Sequence, residues 1–369
     1  MIPVQPTCLW RYLSIQKRVN RRKIESRFYL SWEDGLWDIV RSYPITDGST
    51  ILVPSFFCLD VIKNIKSHGL VPKYYSLDDN LQPDVKMLQT QIKKENPKIL
   101  VLFHAVGIQN RCVTKAFIRR LPGNLIIVED AAHRMIDPKD LKLYRENYFC
   151  ITSLRKVVPL QGSFVYARKH TLGKLIGPEK TFRYSSGVLL LWLFMQIALI
   201  LQKYIPLKSI SIACGKIAEY FMQKSYDLIG NNILPGYCPS IFARIYGAFD
   251  YMHIRNVKEN QIRIYNKMIA SEMKQDRSHF SIPTFSLLDF GNLRGYPIVL
   301  PSSTASKIIA FLRSNGILVK VELEGSPWTR SKTIIYLSLG LHVETRDITT
   351  ISKIFLLSVK RFEKSPHRL

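Results

Sequence analysis

Short apolar runs separated by helical stretches recur from residue 47 to residue 167, and this alternation narrows the fold more than any other feature. Asp47-Gly48-Ser49 reads as a turn, and Ile51-Leu52-Val53 as a strand stopped by Pro54. Val61, Ile62 and Ile65 have helical spacing, with Gly69 placed to end the helix. Lys98 to Phe103, Leu125 to Val128, Tyr148 to Thr152 and Ser163 to Ala167 read as four further strands. Strands joined through helices imply an α/β domain, a mainly parallel sheet covered by helices on both faces.

Beyond about residue 240 the pattern changes. Ile241 to Tyr265, and onward to Met273, reads as one long helical stretch with Ile262, Tyr265 and Ile269 in phase. Strands are expected at Tyr296 to Leu300, Ile317 to Val321 and Thr333 to Leu339, with helices at Ser303 to Ser314 and Asp347 to Val359. The expected organisation is a basic arm over 1–27, a large domain over 28–240 and a smaller C-terminal α+β domain over 241–369.

Composition bounds the partners. The formal charge of +25 raises the local concentration of anions such as nucleotides, phosphorylated sugars or acidic membrane. No recognition motif for nucleic acid accompanies it, and none is expected as a partner. The six cysteines form no C-x-x-C pair, which argues against a metal site or a disulfide framework. Met1 to Val19 lacks the continuous apolar core of a secretory signal, so the expected location is the cytoplasm. Seven basic residues, Arg11, Lys17, Arg18, Arg21, Arg22, Lys23 and Arg27, face the single acid Glu25, and read as a solvated arm or as a contact for anionic lipid. The run Gly187 to Leu201 is the most apolar of the chain, and its length falls short of the ~20 residues a bilayer span needs. A buried or dimer-facing helix, an interfacial membrane helix and a true span are all open readings of it.

Val128-Glu129-Asp130-Ala131-Ala132-His133 carries the chemistry. A strand delivers Asp130 at its carboxyl end, where open α/β sheets place ligands. Ser153-Leu154-Arg155-Lys156 follows the next strand, so Asp130 and Lys156 can face one pocket. Pyridoxal phosphate needs that pairing, a lysine to hold it covalently and a carboxylate to keep its ring nitrogen protonated. Taken singly, Asp130 reads as a helix cap and Lys156 as a surface charge.

These segments, with Gln161-Gly162-Ser163-Phe164-Val165, resemble the DegT/StrS sugar aminotransferases, pyridoxal-phosphate enzymes of the type I fold. Leu52 to Cys58 is similar to that family's strand leading to the cofactor face, and His104 to Gly107 to its H-x-x-G strand end. Tyr336-Leu337-Ser338-Leu339 with His342 is similar to its C-terminal signature. The resemblance implies Lys156 as the catalytic lysine and Asp130 as partner of the ring nitrogen. It further places His133, Ser153 and Phe57 around the cofactor, and Asp34 and Gly35 in the turn that holds its phosphate. That turn, Ser31-Trp32-Glu33-Asp34-Gly35-Leu36, departs from the family's small S-G-T/R-x-A-L pattern, with Glu33 and Trp32 facing a phosphate dianion. The asparagine or arginine that a partner subunit lends in this family has no clear counterpart around Gly236-Tyr237-Cys238.

The implied activity moves an amino group from an amino acid, glutamate, to a keto-sugar, nucleotide-linked, in glycan or secondary-metabolite biosynthesis, with the enzyme a homodimer. The alternative is a catalytically altered relative acting as a binding or scaffold protein, peripheral at the membrane. Retained Asp130 and Lys156 favour the first; Glu33 and Trp32 favour the second.

Overall fold

A computed structural model of the chain describes residue 2 and residues 5–13, 25–178, 182–230, 234–270 and 280–363. A seven-stranded sheet forms from β1 (Ser26–Tyr29), β2 (Thr50–Pro54), β3 (Val71–Tyr75), β4 (Ile99–Phe103), β5 (Ile126–Ala131), β6 (Tyr148–Thr152) and β7 (Ser163–Tyr166), in the order β1-β7-β6-β5-β4-β2-β3. Only β7 runs against the rest: it pairs antiparallel with both β6 and β1. The β6–β7 connection, residues 153–162, is shorter than the dozen or so residues a parallel crossover needs.

The large sheet is flanked by α1 (Trp32–Ser42), α2 (Leu59–Ser67), α3 (Val85–Glu95), α4 (Lys115–Arg119) and α5 (Lys169–Gly173). Ser31 caps α1 by accepting from the Asp34 N–H, and Asp84 caps α3 from the Met87 N–H. Strand residues of the central strands are buried on both faces, which is why they read as continuous apolar runs. One core lies under α1 and α2 with Val101, Val128 and Ile151; the other lies under α3 and α4 with Leu100, Leu102 and Ile127.

Next comes a hairpin of two long helices, α6 (Phe182–Tyr204) and α7 (Lys208–Gly230). The apolar run 187–201 therefore sits inside a helix of 23 residues, longer than the run itself. Its 21 residues Tyr184–Tyr204 are long and apolar enough to cross a membrane by length and composition.

The expected long helix from Ile241 is broken in two. α8 (Ser240–Gly247) ends before Phe249, and Asp250 restarts the chain as α9 (Tyr251–Tyr265) by accepting from the His253 N–H. A turn of π-helix, Asn266–Ala270, follows; Met273 lies outside the described residues. α9 contributes to two cores. Tyr251 and Ile254 pack with Leu154 and Leu160, whereas Ile262 and Tyr265 pack with the C-terminal sheet.

That sheet has three strands in the order β8-β10-β9, all antiparallel: β8 (Tyr296–Pro301), β9 (Lys320–Glu322) and β10 (Lys332–Leu337). β9 is shorter and later than the expected Ile317–Val321 strand. Ile317 and Val319 enter the core from the turn that leaves α10 (Ser302–Ser314). α11 (Thr345–Glu363) closes the domain.

The N-terminal arm is not wholly solvated. Cys8 and Tyr12 are buried, and Arg11 donates to Leu341 O at 3.1 Å and pairs with Glu344 at 3.5 Å. Lys17, Arg18, Arg21, Arg22 and Lys23 lie outside the described residues.

Candidate active site

β5 and β6 are parallel neighbours, with Asp130 opposite Ile151 and Ala131 opposite Thr152. Their carboxyl ends consequently open on one edge, and a small cavity lies there. Trp32, Phe57, Asp130, His133, Ser153 and Lys156 line it, together with Glu33, Arg155 and Tyr226. Alternation along β5 places Glu129 on the far side of the sheet, where it accepts from Tyr148 and pairs with His104 at 2.8 Å.

Asp130 is 3% exposed. Its Oδ1 accepts from the Ala132 N–H at 2.8 Å. Burial pushes its carboxyl up to about 7; the Ala132 N–H and the nearby Lys156 ammonium pull the other way, and the Glu33 carboxylate adds to the rise. The indole N–H of Trp32 lies close enough to favour the charged form, yet no hydrogen bond within the structure satisfies it.

Lys156 ends a single 3-10 turn, Leu154–Lys156. Its Nζ lies 3.4 Å from Nε2 of His133. Ser153 stands at the N-cap of that turn but makes no capping bond, so its buried hydroxyl is not spent on the backbone. Arg155 stacks on Tyr226 of α7 at 4.0 Å and reaches Ser225 Oγ at 3.5 Å. The hairpin thereby forms one wall of the cavity.

His133 is fully buried in a turn. Its Nδ1 accepts from the Val106 N–H at 3.3 Å, and Arg294 Nη1 reaches Nε2 at 2.8 Å. Arg294 in turn pairs with Glu322 at 2.8 Å, both nearly inaccessible, and lies over the Tyr336 ring at 4.7 Å. Gly107, at φ +96°, allows the close approach behind His133: a Cβ there would meet His133 O at 2.6 Å and Leu293 Cα at 2.8 Å.

Asp34 and Gly35 do not reach the cavity. Asp34 turns into the protein, where Oδ1 accepts from the Gly236 N–H at 2.7 Å and Oδ2 from the Ser31 hydroxyl. Burial raises its carboxyl to about 7. Gly35 lies against the sheet, where a Cβ would meet Val165 Cγ2 at 2.6 Å. Trp32 and Glu33, two residues earlier on α1, line the cavity. The segment around Tyr237 packs on the chain's own β1, with Leu30 N donating to Gly236 O and Tyr237 bridging Tyr29. His342 is buried beside Tyr12, away from the cavity.

Arg294, Glu322, Arg155 and Tyr226 carry no sequence signal that marks them. Arg294 and Glu322 lie more than 130 residues from the lysine, and Tyr226 sits on a helix whose pattern reads as packing. Arg155 is flagged only by its neighbour Lys156.

The residues fit pyridoxal phosphate chemically: a desolvated carboxylate, a lysine within the same cavity, the aromatic Phe57, and Ser153 with Arg155 for an anion. The cavity volume is about 40 Å³, room for a few waters and less than a pyridine ring occupies. Among the described residues no cluster suits a metal ion.

No family model and no characterised protein matches the chain by sequence. Solved structures do match by fold. A Streptococcus pneumoniae protein described as a sugar aminotransferase, in its apo-form, superposes with a TM-score of 0.64 at 11% identity over 100% of both chains. Helicobacter pylori PseC, an aminotransferase involved in the biosynthesis of pseudoaminic acid, gives 0.60 at 11% over 98% of this chain and 100% of that one. A DegT DnrJ EryC1 StrS aminotransferase from Brucella abortus gives 0.55 at 14%, over 91% and 86%. The seven-stranded sheet with one reversed strand, the small antiparallel sheet and these superpositions establish that the chain has the type I aminotransferase fold, in the form seen in DegT/StrS-type sugar aminotransferases.

Proposed function

We propose that the chain is a pyridoxal-phosphate-dependent aminotransferase that transfers an amino group from glutamate to a nucleotide-linked keto-sugar. One observation carries the reading: adjacent parallel strands deliver Asp130 and Lys156 to the same buried cavity. The sugar-aminotransferase descriptions of structures sharing the fold support the substrate class. A two-fold homodimer in the cytoplasm goes with this reading, as does the excess positive charge for a diphosphate-bearing substrate.

When bound, the cofactor supplies an electron sink that makes the substrate carbon acidic. Asp130, desolvated and facing Lys156, stabilises a proton on the ring nitrogen. Lys156 would hold the cofactor covalently, and its Nζ would be the group that moves the proton between carbons. His133, fixed by Arg294 and Val106, walls the cavity beside Lys156. Ser153 and Arg155 bind the phosphate, a role that the acidic first turn of α1 fills poorly. The Arg155–Tyr226 stack excludes water on the hairpin side.

The alternative, a binding protein that keeps the fold without the chemistry, is favoured by Trp32 and Glu33 in the cavity wall. A single-turnover assay decides. Cofactor-loaded protein mixed with glutamate is expected to release one 2-oxoglutarate per site, and Lys156→Ala none. If no amino acid yields its keto acid, the aminotransferase reading fails and the binding role stands.

A further inference from the structure

The α6–α7 hairpin presents a surface that the proposed chemistry does not use. Tyr184–Tyr204 contains no acidic residue, and its most apolar 18-residue window has a mean hydropathy of 1.9 and is only 33% buried. The helix nonetheless has two distinct sides. On its inner side Val188 packs with Leu30, Ile229 and Cys238, and Met195, Ala198 and Leu199 pack with Ala218. Gln196 donates to Pro6 O at 3.3 Å, and Trp192 meets Phe242 edge-on at 5.3 Å. On the outer side Leu190, Leu193, Phe194, Ile197 and Leu201 are 41–52% exposed, at the spacing of a single helical stripe. Ile210, Ile217 and Tyr220 of α7 are exposed as well.

An apolar surface of this extent on a soluble chain marks an interaction site. We infer that the hairpin seats this protein on an anionic phospholipid bilayer, lying flat with the Leu190–Leu201 stripe among the acyl chains. Charge selects this occupant. The chain carries +25, and α7 exposes Lys216 and Lys224, the latter 3.8 Å from Asp227. That is the pairing of apolar face and basic residues by which interfacial helices bind acidic lipid. A second copy on this face would set +25 against +25, with only Glu219 and Asp227 as acids on the described hairpin helices to offset it. The inner-face contacts favour a helix lying on the bilayer over a span, because they tie α6 to α7, β1 and the segment around Cys238. The same inner side bounds a cleft of about 690 Å³, with Met195, Leu199 and Met222 facing Ile309, Leu318 and Val321, which gives hydrocarbon further space behind the stripe.

The inference is independent of the aminotransferase reading, and flotation of the full chain with vesicles tests it. At low salt the protein is expected to float with vesicles of phosphatidylcholine and phosphatidylglycerol in a 3:1 ratio, and at least about tenfold less with phosphatidylcholine alone. The double variant Leu193→Glu/Ile197→Glu should lose flotation on both while keeping the wild-type urea midpoint. The variant Lys216→Glu/Lys224→Glu, which leaves the stripe intact, should lose the phosphatidylglycerol preference. Wild-type protein that stays out of the floated fraction would overturn the proposal, as would a Leu193→Glu/Ile197→Glu variant that floats unchanged. A wild-type dimer that this variant splits into monomers would give the stripe to a second copy instead.

Discussion

Lys156 Nζ and Arg294 Nη1 converge on one atom, Nε2 of His133, at 3.4 Å and 2.8 Å. The lysine comes from the turn after β6 and the arginine from the segment entering β8, so a single imidazole nitrogen joins the site to the C-terminal sheet. Arg294 is itself neutralised by Glu322 on β9. A change in the small sheet should therefore be felt at the lysine.

Truncating one member of that buried ion pair leaves an uncompensated charge. Glu322→Ala should cost about 3–5 kcal/mol of stability, whereas Arg294→Met/Glu322→Leu, which removes both charges, should cost much less. Urea unfolding of the two variants checks this; equal losses would mean that packing and not charge is at stake.

The buried carboxylates set a pH dependence for the cofactor-free protein. Asp130 and Asp34 each titrate near 7 in the fold, against an ordinary 3.8. The native state thus binds protons that the unfolded chain has already released, so stability falls as pH rises from about 4 to about 7. A shift of three units corresponds to about 4 kcal/mol per group above that window, to order of magnitude. Asp130→Asn should flatten roughly half of the slope in urea midpoints between pH 5 and 8, and should abolish tight cofactor binding.

Glu33 and Arg155 both line the cavity. Arg155→Ala should weaken pyridoxal phosphate binding by about 2 kcal/mol, roughly thirtyfold in Kd. Glu33→Gln removes a like charge near the phosphate and near Asp130, and should tighten it by about 1 kcal/mol. Equilibrium titration by tryptophan fluorescence, with Trp32 in the cavity wall, reads both.

Lys258 is 1% exposed on α9, donates to Leu293 O at 3.0 Å, and burial lowers its amine to about 7. The unfolded chain takes up a proton there between pH 10.5 and 7 that the native state does not. Stability from this group consequently rises with pH across that window. Lys258→Met is expected to raise the urea midpoint at pH 7 and to remove that slope; an unchanged midpoint would show that the lost bond to Leu293 cancels the gain.

The large sheet was readable because its strands are buried on both faces, which leaves unbroken apolar runs at β4, β5 and β6. Asp130 and Lys156 were readable for the same reason, since each follows such a run. The break at Ala248–Asp250 was not, because Phe249 continues the apolar pattern while Asp250 caps a new helix. On α1 the side chains of Trp32 and Glu33 face the cavity, whereas Asp34 accepts from Gly236 N–H and Gly35 packs its backbone near Val165. Arg294 and Glu322 act through tertiary contact alone, for which no local pattern exists.

The central claim, that Lys156 and Asp130 form a pyridoxal-phosphate site, is tested most directly by the absorbance spectrum of the purified chain supplied with the cofactor. The wild type should show the visible band of lysine-bound pyridoxal phosphate, lost on borohydride reduction with the label recovered on Lys156, and Lys156→Ala should show no band. A wild-type spectrum without that band at saturating cofactor, or a band that persists in Lys156→Ala, would contradict the account.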